Sequence, residues 1–405
     1  MLFKPQNLDE LELKVVREIE RLRGQLSYLV GQPKVWRGLI RRNAFARAVR
    51  GSNAVEGLNV TIDDAIAAIV GEEPIDATDE AWRATTGYRD AMTFVLQKTD
   101  DATFTFSAEI LKSLHFMMLR YDLAKNPGLW RPGGIFVRNE KTGDVVYEGP
   151  PADTVPRLVD ELVVDLNAPT GDTPSMVKAA LAHLNLVMIH PFSDGNGRMA
   201  RCLQTLVLCR SGIREPLFAS IEEYLGARHN TEAYYDVLAS VGGGSWHPER
   251  DTRTWVRFCL RAHYTEAMTL LRRSREMEKM CDELEVMVRR VGLPERSVLA
   301  LADAAVGHKL RNATYRNAAD VSDLVAGRDL KALVEAGLLE PRGRNRGRFY
   351  VAASVVLGVR RKVAEPKSVP DPFAHPDVLA TNLVLPVMEG RSSTKTSSTW
   401  PPRQS

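Results

Sequence analysis

The segment PSMVKAALAHLNLVMI, residues 174–189, constrains the fold more than any other part of the sequence. Its apolar residues cover nearly the whole circumference of a helix, and such a helix has to be surrounded by other elements. Pro174 suits the first helical position, where its missing N–H costs nothing, and Thr173 is a candidate N-cap. The sequence therefore predicts a central buried helix.

Helical periodicity dominates the rest of the chain, whereas strand signals are scarce. Residues 8–30 repeat apolar side chains at three-to-four spacing, and Thr61 is a plausible N-cap for the helix that follows it. The clearest strands, IFVRN and VVYEG within 135–148, are joined by EKTGD and predict a hairpin. The expected fold class is mainly α, with one short β-hairpin. Further helices are expected around 79–97, 107–121 and 153–167.

Length and changes in composition divide the chain into predicted regions. A chain of 405 residues is too long for one ordinary core. From about residue 291, three short helical patterns lead into the arginine-rich segment RGRNRGRFYVAAS, which is the layout of a winged helix-turn-helix. Beyond about 364 the chain is rich in Pro, Ser and Thr, which predicts disorder. The predicted regions are an N-terminal helical region 1–100, a core 101–290, a winged helix-turn-helix 291–363 and a disordered tail 364–405.

Composition excludes several classes of protein. Hydrophobic residues make up 44% and charged residues 26%, which rules out wholesale disorder, collagen-like repeats and a disulfide-dense scaffold. The net charge is +3, so any attraction to nucleic acid or membrane must come from a local patch. No apolar run approaches the ~18 residues of a spanning helix, the N-terminus does not resemble a signal peptide, and the four cysteines show no CxxC spacing. We expect a cytoplasmic protein with reduced thiols and no membrane partner.

The most informative run is HPFSDGNGRMAR at 190–201, which joins the buried helix to the start of another helix. The backbone N–H groups of Gly195, Asn196 and Gly197 can point into one concavity, and the two glycines let a ligand approach the main chain closely. The positive N-terminal end of the next helix adds to this attraction. The run therefore predicts a cradle for an anion.

The side chains of the same run predict phosphate chemistry. Arg198 and Arg201 are three residues apart on the next helix, so they share a face and can reach further phosphates. Asp194 supplies the hard oxygen ligand that a phosphate-bound Mg²⁺ prefers. His190 is the group in the run that titrates near neutrality, which makes it the candidate general base. Phe192 alternates with these polar residues and is expected to anchor the loop in the core.

This run resembles the signature HPFx(D/E)GNGRxxR of the Fic family and matches it at every specified position. The resemblance covers about residues 40–245. It implies a helical core that uses ATP and Mg²⁺ to transfer AMP to a hydroxyl side chain of a target protein, and of the enzyme itself. Pyrophosphate would be released in that reaction.

The resemblance also implies a role for each polar residue of the loop. His190 would deprotonate the target hydroxyl, and Asp194 would hold Mg²⁺ between the α- and β-phosphates. The pair Asn196–Gly197 would line the anion hole, Arg198 would contact the β/γ region, and Arg201 the γ-phosphate. The full set expected to bind ATP is Gly195, Asn196, Gly197, Arg198 and Arg201.

Two neighbouring segments resemble further parts of Fic proteins. The hairpin at 135–148 lies where the family keeps its flap, an edge that pairs with the main chain of the target as an added strand. The segment IEEYLGARHNTEAYYDVL resembles the helix pair that flanks the nucleotide base, so Tyr234 and Tyr235 are candidates for the adenine pocket. Packing inside the core is the alternative for these tyrosines. It is also the expectation for His183.

A second motif lies upstream, in GSNAVEGL. Ser52, Glu56 and Gly57 fit the pattern (S/T)xxxE(G/N), which resembles the inhibitory motif of Fic proteins that carry an inhibitory helix before the core. A carboxylate at Glu56 that reached Arg201 would occupy the guanidinium that the γ-phosphate of ATP needs. We therefore expect low basal activity. An ordinary surface carboxylate is the alternative for Glu56.

Two other functions stay open at this point. In some Fic proteins the inhibitory glutamate also orients water to remove AMP, so Glu56 could serve that reverse reaction. Alternatively, the Fic fold could act as the nucleotide sensor of a DNA-binding regulator. Contact with a protein, including a second copy of the chain in a homodimer, is an equal alternative to DNA for the winged helix-turn-helix. The residues that motivate DNA contact are the alternating Arg342, Arg344, Arg346 and Arg348.

Overall fold

The computed structural model describes residues 1–31, 34, 36–138, 142–213, 220–344 and 347–381. Across them the chain is mainly helical, as the periodicity predicts. The Thr61 side chain caps one helix by accepting a hydrogen bond from the backbone N–H of Asp64, also as predicted. The helices of the N-terminal region are Glu10–Gly31 (α1), Arg37–Val55 (α2), Ile62–Val70 (α3) and Asp79–Gln97 (α4).

The central region contains the buried helix that the sequence predicts. Its helices are Ala108–Leu119 (α5), Val155–Asn167 (α6), Ser175–Ile189 (α7) and Asn196–Arg210 (α8). The side chains of α7 are almost all buried, and α7 packs against α6 and α8. The N-cap of α7 is Pro174 rather than Thr173, because Pro174 is still extended and the helix begins one residue later than predicted.

The predicted hairpin lies beside the end of α7. Phe136–Arg138 (β1) and Val145–Glu148 (β2) pair antiparallel, and the turn between them falls partly on 139–141, outside the described residues. A third strand that the sequence analysis missed, Gly244–Ser245 (β3), pairs with β2 in parallel. The buried Tyr147 hydroxyl donates a hydrogen bond to a backbone carbonyl of α7 (2.7 Å), which fixes the hairpin to the core.

A long helix forms one side of the core. This long helix is Arg253–Arg290 (α11). Two shorter helices precede it, Glu222–Leu225 (α9) and Arg228–Gly242 (α10). α11 packs against α1, α7, α9 and α10. The buried Phe3 reaches the same core, where its backbone N–H donates to Asn185 Oδ1 of α7 (2.9 Å). The predicted regions 1–100 and 101–290 therefore share one core.

Residues 291–363, here called the C-terminal module, contain the helices and the hairpin expected from the sequence. The elements are Ser297–Ala305 (α12), Asn312–Ala319 (α13), Asp323–Glu335 (α14), Leu339–Arg342 (β4), Phe349–Ala352 (β5) and Ser354–Val363 (α15). β4 and β5 pair antiparallel, and Leu310 bridges to Tyr350 of β5. The assignment of the module as a winged helix-turn-helix stays a prediction. Arg346 of the predicted wing lies outside the described residues.

The C-terminal module rests on the N-terminal helices. Arg42 of α2 forms an ion pair with Asp303 of α12, and both side chains are nearly buried. Arg311 pairs with Glu72 (2.7 Å), just after α3, and α13 packs on α3. The module therefore contacts α2, which carries most of the upstream motif at its C-terminal end, and α3, which follows that motif.

Residues 364–381 lie against the core, although their composition predicts disorder. Glu365 and Asp371 form ion pairs with arginines of α11 (2.8 and 2.7 Å). The prediction is wrong for this segment because a Pro-rich composition does not reveal that its acidic residues find partners on a distant helix. Residues 382–405 lie outside the described part of the chain. The described segment 364–381 ends in a short helix, Val378–Thr381 (α16).

The structure also bears on the expected free thiols and on the expected lack of a membrane-spanning helix. All four cysteines are buried and free, as predicted for reduced thiols. Among the described residues, no helix combines the length and the apolar character needed to cross a membrane.

Candidate active site

Residues 190–201, here called the HPF loop, comprise the loop that follows α7 and the first residues of α8, and their own side chains set the shape of the turn. His190 adopts the left-handed region (φ 51°), which is uncommon for a residue other than glycine, and Gly195 begins the next turn with φ 74°. The Asn196 side chain donates to the carbonyl of Phe192 (2.8 Å) and accepts from its N–H (2.9 Å). Phe192 is fully buried and anchors the loop. The Asn196 side chain is thus used to build the loop itself.

His190 is arranged as a proton acceptor. Its Nδ1 lies 3.0 Å from the Val187 carbonyl, and because a carbonyl can only accept, Nδ1 carries the proton and Nε2 has the free lone pair. Burial lowers the pKa of His190 below its usual 6.5; the charge of Arg131 also lowers it, and the hydrogen bond to Val187 opposes both. The imidazole is therefore neutral near pH 7, as a general base has to be.

Arg131 ties the HPF loop to the hairpin, a role that the sequence analysis missed. Its Nε donates to the His190 carbonyl (2.8 Å), and its backbone N–H donates to the Pro191 carbonyl (2.9 Å). A third bond runs from the guanidinium to the carbonyl of Pro150, just after β2. The signal was present in GLWRPGG, where an arginine stands between two stretches that have no other charge.

His115 supports the loop from α5 and was also missed. Its Nδ1 accepts from the backbone N–H of Gly128 (2.8 Å), so its Nε2 carries the proton and donates to the Asp194 carbonyl (2.9 Å). The ring stacks on Phe192 with 3.7 Å between centroids. Burial lowers the pKa of His115 to about 4, so the ring stays neutral and keeps this pattern at neutral pH.

Arg198 and Arg201 are buried cations at the start of α8, with 2% and 1% of their surfaces exposed. Nε and Nη1 of Arg198 have no hydrogen-bond partner within the described part of the chain. A buried charge without partners is costly unless an anion joins it. The first N–H groups of α8 also lack partners within the helix. These donors together fit a phosphate group.

The upstream motif reaches the same helix. Glu56 Oε1 accepts from Nη2 of Arg201 (2.6 Å), while Ser52 accepts from its Nε through the hydroxyl (2.8 Å). Burial lowers the pKa of Arg201, but the charge and hydrogen bond of Glu56, together with Tyr234 and Tyr88, outweigh burial and the pKa is raised overall. Gly57 (φ 74°) turns the chain directly after this contact. A Cβ on Gly197 would collide with the Glu56 carboxylate, so this carboxylate lies over the glycine of the phosphate cradle.

Asp194, the predicted Mg²⁺ ligand, is half-buried at the edge of the loop. Its Oδ2 lies 2.7 Å from Lys125 Nζ. Burial raises the pKa of Asp194, but Lys125 and Arg198 outweigh it and lower the pKa overall. No cluster of three His, Cys, Asp or Glu side chains that could hold a metal occurs among the described residues. One carboxylate fits a Mg²⁺ ion that takes its other ligands from phosphate groups and water.

Comparison with known proteins agrees with this geometry. Residues 105–208 match the family model described as Fic/DOC family. The chain carries a Fic domain. A protein adenylyltransferase Fic of Nematostella vectensis is 26% identical over 271 residues, which cover 62% of this chain and 54% of that protein. Protein adenylyltransferase fic-1 of Caenorhabditis briggsae is 38% identical over 130 residues, or 30% and 22% of the two chains. The chain thus spans about half, or less, of the length of these relatives.

Solved structures of Fic proteins share the fold. A Fic family protein from Desulfovibrio desulfuricans G20 has a TM-score of 0.53 at 22% identity, and the match covers 87% of this chain and 99% of that chain. Fic-1 from C. elegans has a TM-score of 0.51 at 22% identity, covering 64% and 72%. At this level of identity the likeness shows the fold.

Tyr234 and Tyr235, the candidates for the adenine pocket of the Fic domain, lie in different surroundings. Tyr234 is 1% exposed, and its hydroxyl lies 3.0 Å from Nε2 of the buried His183. This burial agrees with packing inside the core, and contact of Tyr234 with adenine stays a prediction. The Tyr235 ring is 46% exposed, and its hydroxyl donates to the Val55 carbonyl (3.1 Å), next to Glu56. Contact with adenine stays a prediction for Tyr235.

The hairpin beside the HPF loop has an open edge. The strand order is β1-β2-β3, so the outer edge of β1 has no strand partner among the described residues. Phe136 of β1 and Val145 of β2 are 51% and 46% exposed. An extended peptide has room to add to this edge as a further strand.

Proposed function

We propose that this protein is an adenylyltransferase that moves AMP from ATP to a hydroxyl side chain of a target protein. Curated relatives that carry this name support the activity. One observation carries the proposal: a neutral histidine, His190, with a free Nε2 lies on the same loop as the buried, unpartnered guanidinium atoms of Arg198. Transfer of a nucleotidyl group to an alcohol requires a proton acceptor beside a phosphate-binding group.

In the proposed reaction, Nε2 of His190 accepts the proton of the target hydroxyl while the hydroxyl oxygen attacks the α-phosphorus of ATP. The new O–P bond forms as the bond from the α-phosphorus to the bridging oxygen breaks, and the electron pair leaves with pyrophosphate. Arg198, Arg201 and the first N–H groups of α8 stabilise the negative charge on the phosphate oxygens. Mg²⁺ bound at Asp194 would neutralise further phosphate charge. The target would dock on the 135–148 edge.

Helix α2 is proposed to hold this activity low. The Glu56 carboxylate occupies Nη2 of Arg201, the atom that the terminal phosphate of ATP needs. ATP would have to displace the carboxylate or bind with its phosphates misplaced, so that the α-phosphorus is out of line for attack. The additional bonds from Ser52 to the same guanidinium support a defined contact between α2 and the loop.

Transfer of labelled AMP by the Glu56→Gly protein tests the proposal. Labelling of the enzyme or of added proteins should rise by at least about tenfold over wild type, because the guanidinium group of Arg201 is free to bind ATP. Glu56→Gln, which keeps the shape without the charge, should give an intermediate rate. His190→Ala in the Glu56→Gly protein should lower transfer by about 10²–10⁴-fold while ATP still binds.

Two results would contradict parts of the proposal. Equal labelling by wild type and the Glu56→Gly protein would remove the inhibitory role of Glu56. Transfer that survives the His190→Ala substitution would remove His190 as the base. The two alternatives, AMP removal assisted by Glu56 and a DNA-binding regulator, are not favoured by the relatives, which are named as adenylyltransferases.

A further inference from the structure

Lys125 is a cation at the mouth of the HPF loop that the proposed reaction does not use. It is the last residue of a short 3-10 helix, and the left-handed Asn126 (φ 51°) turns the chain directly after it. Its Nζ lies 2.7 Å from Asp194 Oδ2, and its side chain is 29% exposed. The loop therefore receives a positive charge from a segment that lies far from it in sequence.

Both oxygens of the Asp194 carboxylate already have partners within the chain. Oδ2 binds Lys125, whereas Oδ1 accepts from the Gly195 N–H and lies 3.9 Å from Nη2 of Arg198. A free divalent cation that bound Asp194 would have to displace the ammonium group and then remain close to two positive charges. Repulsion between like charges at such distances is strong in a half-buried site, so this binding is disfavoured.

The electrostatic cost of binding a divalent cation at Asp194 falls when the cation is bound to a triphosphate. The phosphate oxygens bring negative charge that offsets the repulsion, and they offer the displaced ammonium a new partner. We propose that Lys125 is a specificity-determining residue that excludes free divalent cations from Asp194 and admits the metal only together with the nucleotide. This inference rests on the proposed function, because it concerns the metal and the nucleotide of that reaction.

Binding of Mn²⁺ to the full-length protein without nucleotide, followed by electron paramagnetic resonance of the free ion, tests the inference. Lys125→Gln should bind Mn²⁺ at least about tenfold more tightly than wild type. The gain should disappear in the Lys125→Gln/Asp194→Asn double variant. Lys112→Gln is the matched control, because Lys112 is equally exposed (28%) but pairs with Glu109. Its Mn²⁺ affinity should equal that of wild type.

Adding ATP provides the second arm of the experiment. With ATP present, the difference in Mn²⁺ affinity between wild type and Lys125→Gln should shrink to less than about threefold. The inference is overturned if the two proteins bind Mn²⁺ equally without nucleotide, if the gain survives Asp194→Asn, or if the full difference persists with ATP. AMP transfer by the Glu56→Gly protein separates the two proposals: transfer without a Mn²⁺ difference overturns this inference alone, and a Mn²⁺ difference without transfer overturns the proposed function alone.

Discussion

The HPF loop and helix α2 meet at Arg201 but are held in place in different ways. The turn of the loop is fixed by bonds between near neighbours, as in the pair of hydrogen bonds between Asn196 and Phe192, and Arg131 and His115 brace it from outside. Helix α2 is fixed by residues that lie far along the chain. Gly51 touches the backbone of α9, and Arg42 forms a nearly buried ion pair with the C-terminal module.

The HPF loop is therefore part of the candidate site itself, whereas the contact of α2 with the site depends on the rest of the fold. The turn of the loop is built from its own side chains, so the groups proposed for phosphate binding and proton transfer should keep their arrangement when α2 moves. The position of α2 depends on several remote surfaces, and a change at any of them shifts Glu56. Substitutions in the loop should therefore abolish transfer, whereas substitutions behind α2 should release it.

Asn196→Ala should have the largest effect. In the Glu56→Gly protein it should lower AMP transfer by about 100-fold, because the buried N–H of Phe192 loses its acceptor and the loop loses its shape. Asn167→Ala is the matched control, since Asn167 makes the same pair of bonds to the backbone of Phe106, away from the loop. Transfer by the control should stay near that of the parent. Equal loss in both variants would show that stability, not loop shape, is being measured.

Gly51→Ala should release the helix. A Cβ there would lie 2.6 Å from the carbonyl carbon of Glu222 and 2.9 Å from the Cα of Glu223, so α2 must shift. Basal AMP transfer in the otherwise wild-type protein should rise about tenfold, because 1–3 kcal/mol of overpacking is about one decade or more in an equilibrium constant. Gly38→Ala, on the same helix with nothing within 4 Å, should leave transfer unchanged. Wild-type activity in a folded Gly51→Ala protein would break the proposed link between helix position and inhibition.

Arg42→Met should give the smallest gain, about threefold in basal transfer. The substitution removes the brace between α2 and the C-terminal module, while Asp303 keeps its hydrogen bond to His308. Loss of a nearly buried ion-pair partner should also lower the melting temperature by several degrees. Labelled transfer and a thermal melt check the two effects together. A lower melting temperature with no gain in transfer would show that the C-terminal module stabilises the fold without influencing inhibition.

The sequence could predict the features that depend on near neighbours. The buried helix α7, the Thr61 cap of α3 and the short hairpin all follow from local pattern and turn chemistry. The HPF loop belongs to the same class, because its glycines and its Asn196 act within a few residues of each other. The contact of Glu56 with Arg201 is a distant one, which only the resemblance of the upstream motif to the Fic inhibitory motif implied, and the structure has it.

Other features that depend on distant partners could not be predicted. Lys125 reaches Asp194, and His115 reaches the same loop, only because α5 and the segment after it fold against α8. The burial of Tyr234 could not be predicted either, since the sequence of a tyrosine pair on a helix does not show which ring faces the core. The ordered segment 364–381 likewise depends on arginines of α11 that its own composition cannot reveal.

In the proposed inhibition, the Glu56 carboxylate and the terminal phosphate of ATP compete for Arg201. Calorimetric titration of wild type and the Glu56→Gly protein with ATP and with ADP tests this competition most directly. Wild type should bind the two nucleotides within about twofold of each other, because Arg201 is already engaged. The Glu56→Gly protein should prefer ATP by at least about tenfold. The same preference in both proteins would contradict competition at Arg201.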